Sequence, residues 1–129
     1  MMTETDTIRW GRIILGGLFM ELAMFAVVIP LNGINRQATY YSVPFLTSVF
    51  GFLFGYWVAR PLRNRFILHG VLTAVAASMM YVALTFAMGA AASVPLLYHF
   101  SHGLRMIGGA FGGRVAERRA HKPLAAGVA

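Results

Sequence analysis

The run IILGGLFMELAMFAVVIPL, residues 13–31, is nineteen residues long and carries a single charge, Glu21. A helix needs about 20 apolar residues to cross a hydrocarbon core about 30 Å thick. Three further runs of this kind follow, over residues 40–59, 66–88 and 94–115. Together they predict four transmembrane helices, at about 12–31, 40–60, 66–88 and 94–116, with little chain left for anything else. The expected fold is an all-α membrane protein, with one domain over residues 1–129. A cleaved signal peptide does not fit the first run, which is too long and leads into VIPLNG without a small-x-small cleavage pattern. Glu4 and Asp6 read as a polar lead-in, and HKPLAAGVA, residues 121–129, as a frayed end.

Composition agrees. The 129 residues are 58% hydrophobic and 12% charged, against about 25% charged in soluble domains. There is no cysteine, which excludes disulfides, thiolate metal sites and thiol nucleophiles. The net charge of +7 raises the possibility of a nucleic-acid partner, but its distribution speaks against one. Arg9 and Arg12 precede the first run, Arg60, Arg63 and Arg65 separate the second from the third, and Arg114, Arg118, Arg119 and Lys122 follow the fourth. The opposite loops hold only Arg36. This is the positive-inside pattern, and it puts both termini in the cytoplasm of a multi-pass protein of the bacterial inner membrane. Trp10 and Trp57 on one side, and Tyr40, Tyr41 and Tyr98 on the other, suit interfacial aromatic belts.

The chain also looks duplicated. GFLFGYWVA, residues 51–59, and GGAFGGRVA, residues 108–116, share the pattern GxxFGxxVA. RIILGG, residues 12–17, matches RFILHG, residues 65–70, and SVPFL at Ser42 matches SVPLL at Ser93. Two tandem helical hairpins in the same orientation follow, related by an axis along the membrane normal. Without a hydrophobic drive between helices in lipid, association depends on close backbone approach, which small residues every fourth position allow. Gly51, Gly55 and Ala59 form one such stripe; Gly108, Gly112 and Ala116 form the other. Helices two and four packing on each other is the simplest use, and a homodimer through the same stripe is the alternative. A phosphate-binding loop does not fit, because these glycines lie inside apolar helices with no following lysine.

GYWVAR, LHG and GGAFGGRVAER resemble segments of small bacterial four-helix membrane proteins of uncharacterised function. Over about half the chain the resemblance implies a fold and a location, and it brings no catalytic residues with it. LGGLFME, residues 15–21, is similar to the first-helix segment of the small multidrug resistance transporters, one residue shorter. Those transporters also have four helices, with a glutamate in the first.

Glu21 lies about ten residues into the first helix from the cytoplasmic side, roughly 15 Å deep at 1.5 Å per residue. Arg105 lies about ten residues from the same surface on the fourth. They are the only formal charges at mid-depth, and an unpaired charge there costs at least about 2.5–3.5 kcal/mol. Glu21 and Arg105 are therefore expected to face the interior and pair. At 100° per residue, Tyr98, Ser101, His102, Gly108, Gly109, Gly112 and Ala116 fall within about 60° of Arg105, while Phe100, Leu104, Ile107 and Phe111 point away. Thr47 and Ser48 sit at similar depth on the second helix. The expected polar layer is Glu21, Thr47, Ser48, Arg105 and His102, with Ala74 the repeat counterpart of Glu21.

Such a pair suits a lock that fixes helix register, a titrating carboxylate in a transporter, or a contact with another membrane subunit. His99 and His102 are three apart, but no further ligand accompanies them, so neither a metal nor a cofactor is expected. His69 reads as an interfacial hydrogen-bonding residue, and the eight methionines as adaptable packing. No nucleophile–base arrangement marks an enzyme. The expected partners are lipid, a second copy or a larger membrane complex, and not nucleic acid.

Overall fold

The computed structural model describes residues 7–90 and 93–122. Glu4, Asp6 and residues 123–129 of the tail lie outside the described residues. Four helices are present, α1 Trp10–Ile34, α2 Arg36–Ala59, α3 Phe66–Ala87 and α4 Leu96–Ala120. α1, α2 and α3 are long and apolar enough to cross a membrane. α4 is as long as α1, 25 residues, but His99, Ser101, His102, Arg105 and its glycines dilute its hydropathy, and it is not among the three.

The helix ends shift from their expected positions for local reasons. α1 runs past Pro30 to Ile34, because a proline so near the end removes a single hydrogen bond. α2 begins at Arg36, four residues early, where the Asn35 side chain accepts from the Ala38 N–H at 3.0 Å and acts as an N-cap. α3 starts after Arg65, which takes a left-handed conformation with φ 52°. Its carbonyl accepts from the His69 N–H at 3.1 Å and from the His69 ring Nδ1 at 2.9 Å. α4 starts after Pro95 and continues to Ala120, its last turn carrying Arg118 and Arg119, which suit a helix C-terminus.

α2 and α4 make the closest seam. A Cβ added to Gly55 would stand 2.7 Å from the Gly109 carbonyl oxygen and 2.8 Å from its Cα; one on Gly112 would stand 2.6 Å from the Tyr56 nitrogen and overlap the Phe52 carbonyl. In the same way Gly51 faces the Arg105 carbonyl and Gly108 the Ser48 carbonyl. Positions four apart on α2 thus meet positions four apart on α4 in the same order, so the two helices run parallel. A shift of 57 residues exchanges the partners within this set of contacts. On its other side α4 meets α3, where Gly70 and Gly109 face each other's carbonyls and Gly113 lies against Phe66.

α1 packs on α2 and α3 through Gly16, against Val58 and Thr73, and Gly17, against Ala76 and Ala77. α2 and α3 also touch, whereas α1 and α4 have no close backbone approach. The cross-section is a rhombus with α1 and α4 at its far corners. Ala59, Leu62, Phe66 and Ala116, with Tyr56 beside them, close one end. Large apolar side chains such as Phe45, Phe86, Phe100, Ile107 and Phe111 point outward, as the phase of α4 predicted and as a lipid-facing surface requires.

Candidate functional site: a buried ion pair and the cavity above it

Glu21 and Arg105 meet across the rhombus. Arg105 Nη1 donates to Glu21 Oε2 at 2.8 Å, and the two residues are 2% and 5% exposed. Since α1 and α4 do not approach each other as backbones, two long side chains are needed to bridge them by a hydrogen bond. Helical phase fixes both partners: Glu21 follows buried Met20 and precedes buried Met24, while Arg105 lies on the Ser101–Gly108–Gly112 face.

Beside the pair lies a cavity of about 50 Å³, room for only a few waters. Its polar lining is Glu21, Thr47, Tyr81, Tyr98, Ser101, His102 and Arg105, and its apolar lining Met24, Phe25, Val28 and Val43. Two of the hydroxyls are already engaged within their own helices. Thr47 donates to the Pro44 carbonyl at 2.8 Å and Ser101 to the Leu97 carbonyl at 3.0 Å. His102 Nδ1 is 3.0 Å from Ser78 Oγ, and its ring lies 5.2 Å from that of Tyr81. Among the described residues, His102 Nε2 and Arg105 Nε are buried without a hydrogen-bond partner. Tyr98 stacks on Tyr40 with centroids 6.1 Å apart, toward the end of the bundle away from most of the arginines.

The structure brings Glu21, Thr47, His102 and Arg105 together at this cavity. Ser48 is different: it does not line the cavity, and its part in the fold is a carbonyl pressed against Gly108. The packing glycines Gly51, Gly55, Gly108 and Gly112 all lie in the α2–α4 seam, and Ala59 and Ala116 at its end. Ala74, the residue matched to Glu21 in the sequence comparison of the two hairpins, is fully buried. His99 is exposed. His69 is 1% exposed, more deeply enclosed than an interfacial residue, and its Nε2 accepts from the Arg9 N–H at 3.2 Å.

Sequence reasoning missed the contribution of α3, above all Ser78 and Tyr81. The signal was available. Gly70, Thr73, Ala74, Ala77, Ser78 and Tyr81 recur at spacings of three and one, a small and polar stripe down one helix face. Among the described residues no three His, Asp or Glu side chains gather as a metal-binding set. Comparisons with protein-family models, curated proteins and solved structures give no match for this chain.

Proposed function

We propose that this chain is a non-catalytic packing or assembly protein of the bacterial inner membrane, spanning it four times with both ends in the cytoplasm. The observation that carries the proposal is the 2.8 Å Glu21–Arg105 pair, closed and buried, joining two helices whose backbones do not approach. A pair of this kind makes the bundle specific, because any register that separates the charges strands both in a low-dielectric interior. The fourth span is supported by the same pair, which brings the cation of α4 to the depth of the acid of α1. The orientation is supported by charge: Arg12 reaches the end of α2, Arg9 the start of α3, and Arg119 the α2 residue Tyr56, so the basic segments share one end of the bundle.

Two tandem hairpins account for the seam, whose contacts exchange under a shift of 57 residues. The outer helices depart from the relation. α3 touches α2 while α1 stays clear of α4, and the gap so left is where the charged pair sits.

Single-cysteine labelling tests the topology, on a background without native cysteine. Gly33→Cys, in open space, reacts with an impermeant reagent from outside intact spheroplasts, and Arg118→Cys reacts only after lysis; the reverse pattern refutes the orientation. For the role, Glu21→Gln and Arg105→Leu each lower accumulation or loosen partner subunits, and the double change partly restores them. Normal accumulation and partner retention in both single variants refutes it.

The cavity favours a second reading, a proton-coupled transporter acting as a homo-oligomer, since Arg105 Nε and His102 Nε2 stand unpartnered beside Glu21. It requires proton uptake or release on substrate binding that Glu21→Gln abolishes. A strictly monomeric protein in mild detergent counts against it.

A further inference from the structure

The basic end of the bundle holds two hollows with one residue in common. The first, about 300 Å³, lies between α1 and α2 and is lined by Arg12, Trp57, Arg60 and Pro61. The second, about 330 Å³, lies between α2 and α4 and includes Tyr56, Arg60 and Arg119. Two of the three guanidinium groups are held in place. Arg12 donates from Nη2 to the Trp57 carbonyl at 3.0 Å and from Nε to the Val58 carbonyl at 3.2 Å, 4.9 Å above the Trp57 ring. Arg119 donates to the Tyr56 hydroxyl at 2.9 Å, 5.2 Å from that ring. Each keeps further N–H donors free, since a guanidinium carries five. Arg60, between them, makes no side-chain hydrogen bond or ion pair among the described residues. The acid described at this end, Glu117, is taken by Arg114. Among the described residues, three positive charges thus stand without an acidic partner around two hollows, beside aromatic rings.

We propose that these hollows form one site for an anionic glycerophospholipid with two phosphates, one phosphate in each hollow and Arg60 between them. Fixed guanidinium forks recognise phosphate oxygens by paired hydrogen bonds, and basic recesses between helices at the cytoplasmic face are where such headgroups bind. An apolar bed for the acyl chains descends from the first hollow. Trp57 lies against Phe19 with rings 6.3 Å apart, and Leu53, one turn deeper, is exposed. The site rests on the basic end lying at the headgroup level of a membrane.

The test uses the full chain purified in mild detergent, with bound lipids counted by native mass spectrometry after adding tetraoleoyl cardiolipin, dioleoyl phosphatidylglycerol or dioleoyl phosphatidylcholine. One cardiolipin is expected per chain, held at least about tenfold more tightly than phosphatidylglycerol because the second phosphate binds intramolecularly. Arg60→Gln lowers that affinity about fivefold and the Arg60→Gln/Arg119→Gln pair about thirtyfold, the factor for one and two basic side chains at an anionic surface. Arg63→Gln, outside both hollows, stays within about twofold of the parent. Equal retention of phosphatidylglycerol and cardiolipin, or an Arg63→Gln loss equal to that of Arg60→Gln, reduces the site to diffuse attraction and overturns it. Pyrophosphate displacing cardiolipin at equal concentration overturns the lipid as ligand. Labelling of Arg118→Cys in sealed vesicles reports the orientation separately, so its failure is not mistaken for failure of the site.

Discussion

Replacing Arg105 by leucine leaves Glu21 buried with no other cation in contact among the described residues. Coulomb attraction across this pair is about 4 kcal/mol at an effective dielectric constant near 20. Stranding one partner of a buried pair costs about 3–5 kcal/mol. Glu21→Gln strands the guanidinium instead, at a similar cost. The double variant strands neither charge, and neutral replacements of similar volume are often tolerated, so its loss is expected below about 2 kcal/mol. The coupling energy of the cycle is then at least about 4 kcal/mol, several hundredfold in the folding equilibrium. The geometry makes the cycle unusually clean, since α1 and α4 share no close backbone contact through which the two substitutions can interact otherwise. Reversible unfolding by a denaturing detergent, followed by loss of helicity and by the fluorescence of Trp10 and Trp57, measures all four proteins. Additive single losses refute the reasoning, whatever their size.

Gly55→Ala drives a methyl against the Gly109 backbone at 2.7–2.8 Å, which no side-chain rotation relieves. A loss of about 1–3 kcal/mol is expected in the same assay, while Gly103→Ala, with open space around it, is neutral or gains up to about 1 kcal/mol from helix propensity; equal effects of the two refute a close seam. His69→Leu removes the acceptor of the Arg9 N–H and a donor to the Arg65 carbonyl. It is expected to cost about 1–3 kcal/mol and to speed amide exchange at Arg9, and unchanged exchange there refutes the bond.

The ion pair was legible because charge is scarce: with two formal charges at mid-depth, counting residues from the membrane surface sufficed to match them. The glycine stripes were legible for a related reason, since in lipid small residues at regular spacing have little use except close approach. Ser48 misled because its place in the stripe was read as a side-chain role, whereas close packing of glycines brings backbone carbonyls to the contact. Ser78 and Tyr81 were overlooked because α3 is dominated by apolar residues that face outward, and its polar face emerges only when spacing is weighed above mean hydropathy. The start of α2 was there to be read in Asn35, a good N-cap, but the polar Arg36 and Gln37 that follow it read as loop. That α1 and α4 stand apart was not legible. Helix neighbours depend on which faces three other helices compete for, and a single strand of sequence does not rank those faces.

Glu21 and Arg105 are 84 residues apart, and that distance is also a delay. At about 5–20 residues per second of synthesis, the acid precedes its cation by about 4–17 s. On the four-span reading, the first three helices are apolar enough to leave the insertion machinery on their own, and α4 is the one that enters against its composition, into a groove of glycine backbone already waiting on α2 and α3. Until it arrives the membrane holds a bare carboxyl group. A chain truncated before Arg105 never covers it. The pair then works as a seal of completion, closed only when the last helix has been made.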